Sequence, residues 1–280
     1  MQRVVLVIQY DGSSFHGWQS QPNVVNVQDV LENAITQFTQ LKTKITVAGR
    51  TDAGVHALGQ IVHFDTSLTN RTDYSWVRGI NAFLPFSIRV QSACLIEQTF
   101  HARFSALART YDYILYISPI RPALLGSRVG WMHASLSVQD MQNAAKCLLG
   151  EHDFSAFRAA ACQAKTPKKT MYEINIKASG PFIRFRFTAN AFLHHMVRNL
   201  MGSLIMVGRG RKTSSWMEML LQQGEREAAA PTFMPDGLYL TAVHYPAQFP
   251  LLNNLIEKLS NEAEYCLPGQ IQMPSSNLER

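Results

Sequence analysis

Asn26-Val-Gln-Asp-Val-Leu-Glu-Asn-Ala-Ile-Thr-Gln-Phe-Thr-Gln-Leu41 places Val27, Leu31, Ala34, Ile35, Phe38 and Leu41 at three- and four-residue intervals, the spacing of one apolar helix face. Asn26 stands where its side chain can cap the first turn. On the N-terminal side, Val4 to Tyr10 is apolar and β-branched and ends at Asp11-Gly12, which reads as a central strand running into a turn. On the C-terminal side, Ile45 to Ala48 and Gln60 to Phe64 read as strands. A helix then starts at Asp73 and must stop before Pro85, and Ile88 to Ile96 is again strand-like. The element order is βαββαβ.

A second unit opens near Arg109, where Tyr111, Tyr113, Leu115 and Ile117 alternate with Asp112, Ile114 and Tyr116 until Pro119 and Pro122 end the strand. Ser137-Val-Gln-Asp140 resembles a capping box and heads a helix with Met141, Ala144, Ala145, Leu148 and Leu149 on one face. Its Val138-Gln-Asp140 repeats Val27-Gln-Asp29, and the shared element order strengthens this short identity as a sign of internal repetition. Strands follow at Tyr172 to Ala178 and Phe182 to Thr188, hinged at Ser179-Gly-Pro181. A helix near Phe192 to Val207 turns Leu193, Met196, Val197, Leu200, Leu204 and Ile205 inward, and a last strand spans Leu238 to His244.

The expected fold is therefore α+β: two tandem ferredoxin-like units with mainly antiparallel sheets flanking a cleft, residues 1–106 and 107–246. Whether the two sheets join edge to edge is left open by the pattern. A tail, 247–280, carries one short amphipathic helix on Leu251, Leu252, Leu255, Ile256 and Leu259 and is expected to be mobile from Ser260 onward. Removing everything after Pro246 should leave the fold largely intact unless that apolar face docks.

Charged residues make up 16% of the 280, below the ~25% of an average soluble domain, while 46% are hydrophobic, which excludes a polyionic disordered chain. Cys94, Cys147, Cys162 and Cys266 lie far apart without CxxC or His-x3-His spacing, against both a zinc site and a disulfide framework. They fit a reducing cytoplasm. The apolar run Val4 to Ile8 is too short for a signal segment or a membrane span, so a soluble, cytoplasmic protein with no membrane partner is expected. The net charge of +6 is unevenly spread. Ten basic residues stand against one acid, Glu173, between Lys165 and Lys212, so this segment carries +9 and the rest of the chain −3. Interleaved with Phe182, Phe185, Phe187 and Phe192, it is a candidate surface for a phosphate backbone, or else the solvated face of a sheet and helix. Lys165, Lys168 and Lys169 flank Pro167 in a polar run and are expected to be exposed.

Gly49-Arg-Thr-Asp-Ala-Gly-Val-His-Ala57 joins an arginine, an acid and two glycines in one tight connection between strands, a loop able to hold a carboxylate at a cleft rim. Taken alone, Asp52 reads first as a turn or cap residue and His56 as a structural histidine. No serine or cysteine triad and no glycosidase-like carboxylate pair stands beside it. The combination says more. With Tyr10-Asp-Gly-Ser-Ser-Phe-His-Gly-Trp-Gln19, Phe100-His-Ala-Arg-Phe-Ser-Ala106, Arg109-Thr-Tyr111 and Asn190-Ala-Phe-Leu-His-His-Met-Val-Arg-Asn199, the block resembles the tRNA pseudouridine synthase A family over Val4 to Pro246.

That resemblance implies isomerisation of uridine to pseudouridine in the anticodon stem-loop of tRNA, at positions 38 to 40, by a homodimer that one tRNA spans. The reaction balances in atoms and oxidation state, so neither metal nor cofactor is expected. The resemblance makes Asp52 the nucleophile, attacking either ribose C1′ or uracil C6, and Arg198 the cation that keeps it ionised in a water-poor pocket. On a helical wheel Arg198 leaves the apolar stripe and shares a line with His194 and Gly202. Tyr111 becomes the aromatic packing on the target uracil, with a hydroxyl placed to assist proton removal from C5. Arg50 becomes the residue that fills the space left by the flipped base. Lys165, Lys168 and Lys169 join the substrate-binding set. Asp11 and Trp18 suggest turn formation and packing rather than chemistry. Two other readings compete. One is a non-catalytic RNA-binding protein of tandem ferredoxin-like units, although Arg184-Phe-Arg-Phe187 does not match the RNP strand. The other is an Asp-dependent nucleoside hydrolase, which lacks a visible water-activating partner.

Overall fold

The computed structural model describes residues 1–264 and 267–269, with side chains through Leu259 and at 267–269. Strand β1 (Gln2–Tyr10), helix α1 (Val27–Thr39), strands β2 (Thr46–Val47) and β3 (His56–Thr66), helix α2 (Asp73–Asn81) and strand β4 (Ile88–Ile96) follow the expected βαββαβ order. Asn26 caps α1 as its position suggested, its side-chain oxygen accepting from the Asp29 amide at 2.9 Å. Next come β5 (Ala108–Ile117), the short β6 (Gly130–Met132), α3 (Val138–Ala145), β7 (Gly150–Asp153), β8 (Lys168–Ser179), β9 (Phe182–Ala189), α4 (Met196–Gly208), α5 (Ser214–Gln223), β10 (Leu238–His244) and α6 (Pro250–Glu264). Among these, β6, β7 and α5 were not anticipated, and α4 begins four residues later than the apolar spacing suggests. No described helix is long and apolar enough to cross a membrane.

All the strands belong to one sheet of order β4-β1-β3-β10-β5-β9-β8-β7, so the two halves join edge to edge. With the short β6 and β7 set aside, the first strand of each half lies between the last and the third: β4-β1-β3 in one, β10-β5-β9 in the other. The second strand lies beyond the third, β2 on β3 and β8 on β9. Pairing is antiparallel except where β10 meets β3 and where β6 meets β5. The outer edge of β3 is shared, with β2 opposite Val62 and His63 and β10 opposite His56 and Ala57. The seam between the halves thus lies at the start of β3, directly after the Gly49–Val55 connection.

Period-two alternation divides the central strands between two environments. Tyr111, Tyr113 and Leu115 of β5, Phe185 and Phe187 of β9 and Leu240 of β10 join the main buried cluster with Leu200 and Leu204 of α4. The intervening Asp112, Arg184 and Arg186 form their own cluster on the reverse face. Both Arg184 Nε and Arg186 Nε reach Asp112 Oδ1 at 3.0 Å, and Asp112 is fully buried. Two charges of the basic segment are therefore committed to a buried carboxylate, and Phe185 and Phe187 to the core, so the segment is not one continuous surface.

Arg109 ties the start of β5 to both neighbours. Its guanidinium donates to the carbonyls of Ala48 (2.9 Å), Arg103 (2.9 Å), Asn190 (3.0 Å) and Ala106 (3.3 Å). Helix α6 extends past the expected Leu251 to Leu259 and does dock. Leu252 is fully buried, and Phe249 meets Phe100 edge-on at 5.1 Å between ring centroids. The exception allowed for truncation is therefore the case here, since a cut after Pro246 would uncover Phe100 and Tyr245. The mobility expected from Ser260 onward falls largely outside the described residues; 260–264 are helical.

Candidate active site

The loop Gly49–Val55 is short, and its backbone groups are met from outside. The Thr51 carbonyl accepts from Trp18 N at 3.0 Å, and Gly54 N donates to the Phe15 carbonyl at 3.3 Å. Tyr10 Oη lies 2.8 Å from Thr51 Oγ1, and Gln60 Nε2 donates to the Gly49 carbonyl at 2.7 Å. The Tyr10–Gln19 stretch is thus the cradle of the loop. Gly17, at φ +85°, sits so close that a Cβ would stand 2.8 Å from the Thr51 carbonyl oxygen. Trp18 is buried and Asp11 caps its turn, accepting from Ser13 N at 3.0 Å. His56 is structural as well: Nδ1 accepts from Gly12 N at 3.1 Å, and Nε2 meets the carbonyls of Ser127 (2.9 Å) and Asp236 (3.1 Å). Nδ1 also stands 3.3 Å from Asp11 Oδ1.

So held, Asp52 points across the seam at the start of α4. Arg198 Nη1 donates to its Oδ2 at 3.2 Å, while Arg198 Nε donates to the Phe233 carbonyl at 2.9 Å. His194 Nε2 stands 3.3 Å from Oδ1 and His195 Nε2 3.6 Å from Oδ2. The imidazoles reach the carboxylate because the chain enters α4 through His195 in the left-handed region, at φ 61°, a conformation costing a non-glycine residue about 1–3 kcal/mol. This is why α4 starts late. Gly202, one turn on from Arg198 along the same line, lies against the backbone of Pro231, in the segment whose Phe233 carbonyl anchors Arg198.

Burial pushes the Asp52 carboxyl up, but the His194 hydrogen bond and the charges of His195, His194 and Arg198 outweigh it and hold it below the usual carboxylate range. His194 rises in return through its bond to Asp52, whereas burial lowers His195. Of the three partners only the guanidinium keeps its charge at every working pH. The Asp52, His194 and His195 donor atoms lie within 4.8 Å of one another. With Arg198 already on the carboxylate, a further cation there meets charge repulsion, and the cluster reads as a paired carboxylate rather than a metal centre.

Tyr111 is 8% exposed, its ring edge-on to Phe192 at 5.0 Å between centroids. Its hydroxyl makes no hydrogen bond among the described residues; burial, with Tyr10 and Asp52 nearby, raises its pKa. Arg50 is exposed beside Asp52. Lys165 and Lys168 are exposed, but Lys169 is not. It is 8% exposed, and Nζ donates to the carbonyls of Thr166 (2.6 Å) and Lys168 (2.8 Å). The expectation of three free lysines is corrected to two. A cavity of about 510 Å³ lies on the reverse face, lined among others by Asp112, Arg186, Thr188 and His244; Asp52 does not border it.

Two histidines of the site, His194 and His195, were present in the sequence block but carried no assigned role. Their signal was position: they immediately precede the helix that brings Arg198.

A family model described as tRNA pseudouridine synthase matches residues 6–105 and 144–246. Proteins named tRNA pseudouridine synthase A from Burkholderia mallei (strain NCTC 10229) and Paraburkholderia xenovorans (strain LB400) are each 59% identical over 249 residues, covering 89% of this chain and 92% of theirs. Their counterpart in Burkholderia thailandensis is 59% identical over 247 residues, 88% of this chain and 91% of its own. A chain from a crystal structure titled as a Cbf5-Nop10-Gar1 complex covers 74% of this chain and 55% of its own at a TM-score of 0.34 and 11% identity, a likeness too loose to use.

Proposed function

The chain belongs to the tRNA pseudouridine synthase A family and isomerises uridine to pseudouridine in tRNA; we propose that it acts in the anticodon stem-loop, at positions 38 to 40, with Asp52 as nucleophile. The observation that carries the residue assignment is the carboxylate held ionised between Arg198 and two imidazoles at the seam. An ionised, partly desolvated carboxylate is what covalent attack on C1′ or C6 needs. The C1′–N1 bond breaks and a C1′–C5 bond forms; the proton on C5 leaves, and N1 ends protonated.

The reacting atoms are inaccessible in a stacked stem, so the base must leave it. Tyr111 and Phe192 form the aromatic wall beside Asp52 on which the uracil packs, and Arg50, exposed and close in sequence, fills the vacated stack. The repeated strand arrangement supports two tandem ferredoxin-like units, 1–106 and 107–246, as the division of the chain. Action on tRNA fits a cytoplasmic location. A homodimer spanned by one tRNA belongs to the same reading, and Phe86 and Leu124, 97% and 94% exposed, leave apolar surface for a partner.

Purified protein incubated with tRNA carrying tritium at C5 of uridine, and no cofactor, should release tritium. Binding without release would favour a non-catalytic RNA-binding protein, and free uracil a hydrolase.

With Lys169 internally bonded, replacing Lys165 and Lys168 by Gln should reduce the magnitude of the log K versus log[salt] slope by up to ~2, with little change in turnover at saturating tRNA. An unchanged slope would place the RNA path elsewhere.

A further inference from the structure

We propose that His194 is a displaceable cover over Oδ1 of Asp52, and that Oδ1 is the oxygen through which the carboxylate attacks. The inference rests on Asp52 being the nucleophile and makes His194 a positioning residue.

The two oxygens are held unequally. Oδ2 is fixed by Arg198, whose side chain is 15% exposed and whose Nε is anchored on the Phe233 carbonyl. Withdrawing that guanidinium would break the anchor and leave a largely buried charge unpaired. The nearest group to Oδ1 is His194 Nε2 at 3.3 Å, on a side chain that is 41% exposed. The His194 backbone is tied on both sides, its amide to Cys162 Sγ at 3.4 Å and its carbonyl to Ala159 N at 3.0 Å. The ring packs on His195 at 4.0 Å between centroids, and with the backbone fixed its way out from Oδ1 is rotation off that ring into solvent. A carboxylate oxygen that accepts a hydrogen bond from an imidazolium has one of its lone pairs engaged, part of its charge neutralised and one side of approach covered by the ring. It becomes a competent nucleophile when the ring leaves.

The groups facing His194 are Asp52 from the β2–β3 loop, His195 and Arg198 from the start of α4, and Cys162 from the β7–β8 connection, with Arg158 behind Cys162. Arg226 faces His195, and Tyr111 lies near Asp52. Asp52 is the one carboxylate among them, and its hydrogen bond raises the His194 pKa above the ordinary imidazole value. The proton that strengthens the cover is thus retained on His194 to higher pH and lost as pH rises through the raised value. The cover is tight in acid and loose in base.

Single-turnover rates at saturating tRNA, measured from pH 5.5 to 8.5, test this. The wild-type rate should climb with pH through the His194 titration, approaching about tenfold per unit on the acid side. His194→Gln, which keeps a neutral donor near Oδ1, should lack that limb and exceed the wild type several-fold at pH 6. An acid limb unchanged in the variant overturns the proposal. So does a variant slower than wild type at pH 6 while its melting temperature and tRNA affinity are retained, because a cover is dispensable by definition. If His194→Gln fails to fold, imidazole NMR titration of the wild type against Asp52→Asn decides instead: the His194 pKa should fall in the variant, and no change overturns the pairing. Asp52→Asn assayed for turnover separates the two readings. Activity retained there removes Asp52 as nucleophile, whereas its loss combined with an unchanged His194 limb removes only the cover.

Discussion

Asp52→Asn is expected to lower isomerisation by at least about a thousandfold while tRNA affinity stays within a few-fold, measured by tritium release and by filter binding at the same salt. The amide preserves shape. Its oxygen can still accept from Arg198 Nη1, and the loop geometry fixed by Trp18, Phe15, Tyr10 and Gln60 does not involve the carboxylate. What disappears is the negative charge and the lone pair of an anion. The charged groups acting on Asp52 are His194, His195 and Arg198, none of them a carboxylate that could take over. Turnover above about one per cent of wild type would remove Asp52 from the nucleophile role.

Arg198→Ala should cost about a hundredfold or more at neutral pH, with part of the loss recovered as pH rises. The sign follows from the carboxyl's environment. Burial alone drives the Asp52 pKa up; His194, His195 and Arg198 bring it down, and the histidines do so only while protonated. Without the permanent charge, the folded-state pKa climbs. The ionised fraction then falls at any pH below it and returns as pH passes through it. The folding contribution moves with it: a depressed carboxyl stabilises the fold above its unfolded pKa and loses that as pH falls through the folded value. Removing Arg198 shrinks this contribution. A flat pH profile in Arg198→Ala would instead mean misplacement, since the same guanidinium anchors the Phe233 segment. Arg198→Lys keeps charge but not the two-edged fork and should recover the pH behaviour better than the rate.

Much of this was readable from apolar spacing. Helix α1, its Asn26 cap, β4 and β10 follow the pattern, because each buries one face and the spacing records it. Strand β7 was invisible because Gly150-Glu-His-Asp153 is a polar edge strand with no face to bury. Helix α5 does carry helical spacing, in Trp216, Met217 and Leu220. The sharing of the β3 edge leaves no periodic trace, as two residues of parallel pairing suffice for it. In the site, Asp52 and Arg198 lie 146 residues apart, and nothing local in either joins them. The family resemblance paired them and the seam brings them together. Lys169 departs from the expectation because charge predicts exposure only when the backbone offers no carbonyls; here Thr166 and Lys168 supply two.

β10 is the last strand of the sheet to leave the ribosome, yet it occupies the middle of the sheet, between β3 and β5. Until residues 238–244 are available, the half carrying Asp52 and the half carrying Arg198 have no ladder connecting them. During synthesis the N-terminal half presents an open β3 edge, and Asp52 waits beside it without its permanent counter-ion. A late, long-range pairing of this kind is slow to form and leaves the edge open to mispairing meanwhile. Catalytic competence is consequently a property of the finished chain: a ribosome that stalls before β10 yields a product that is both adhesive and inert.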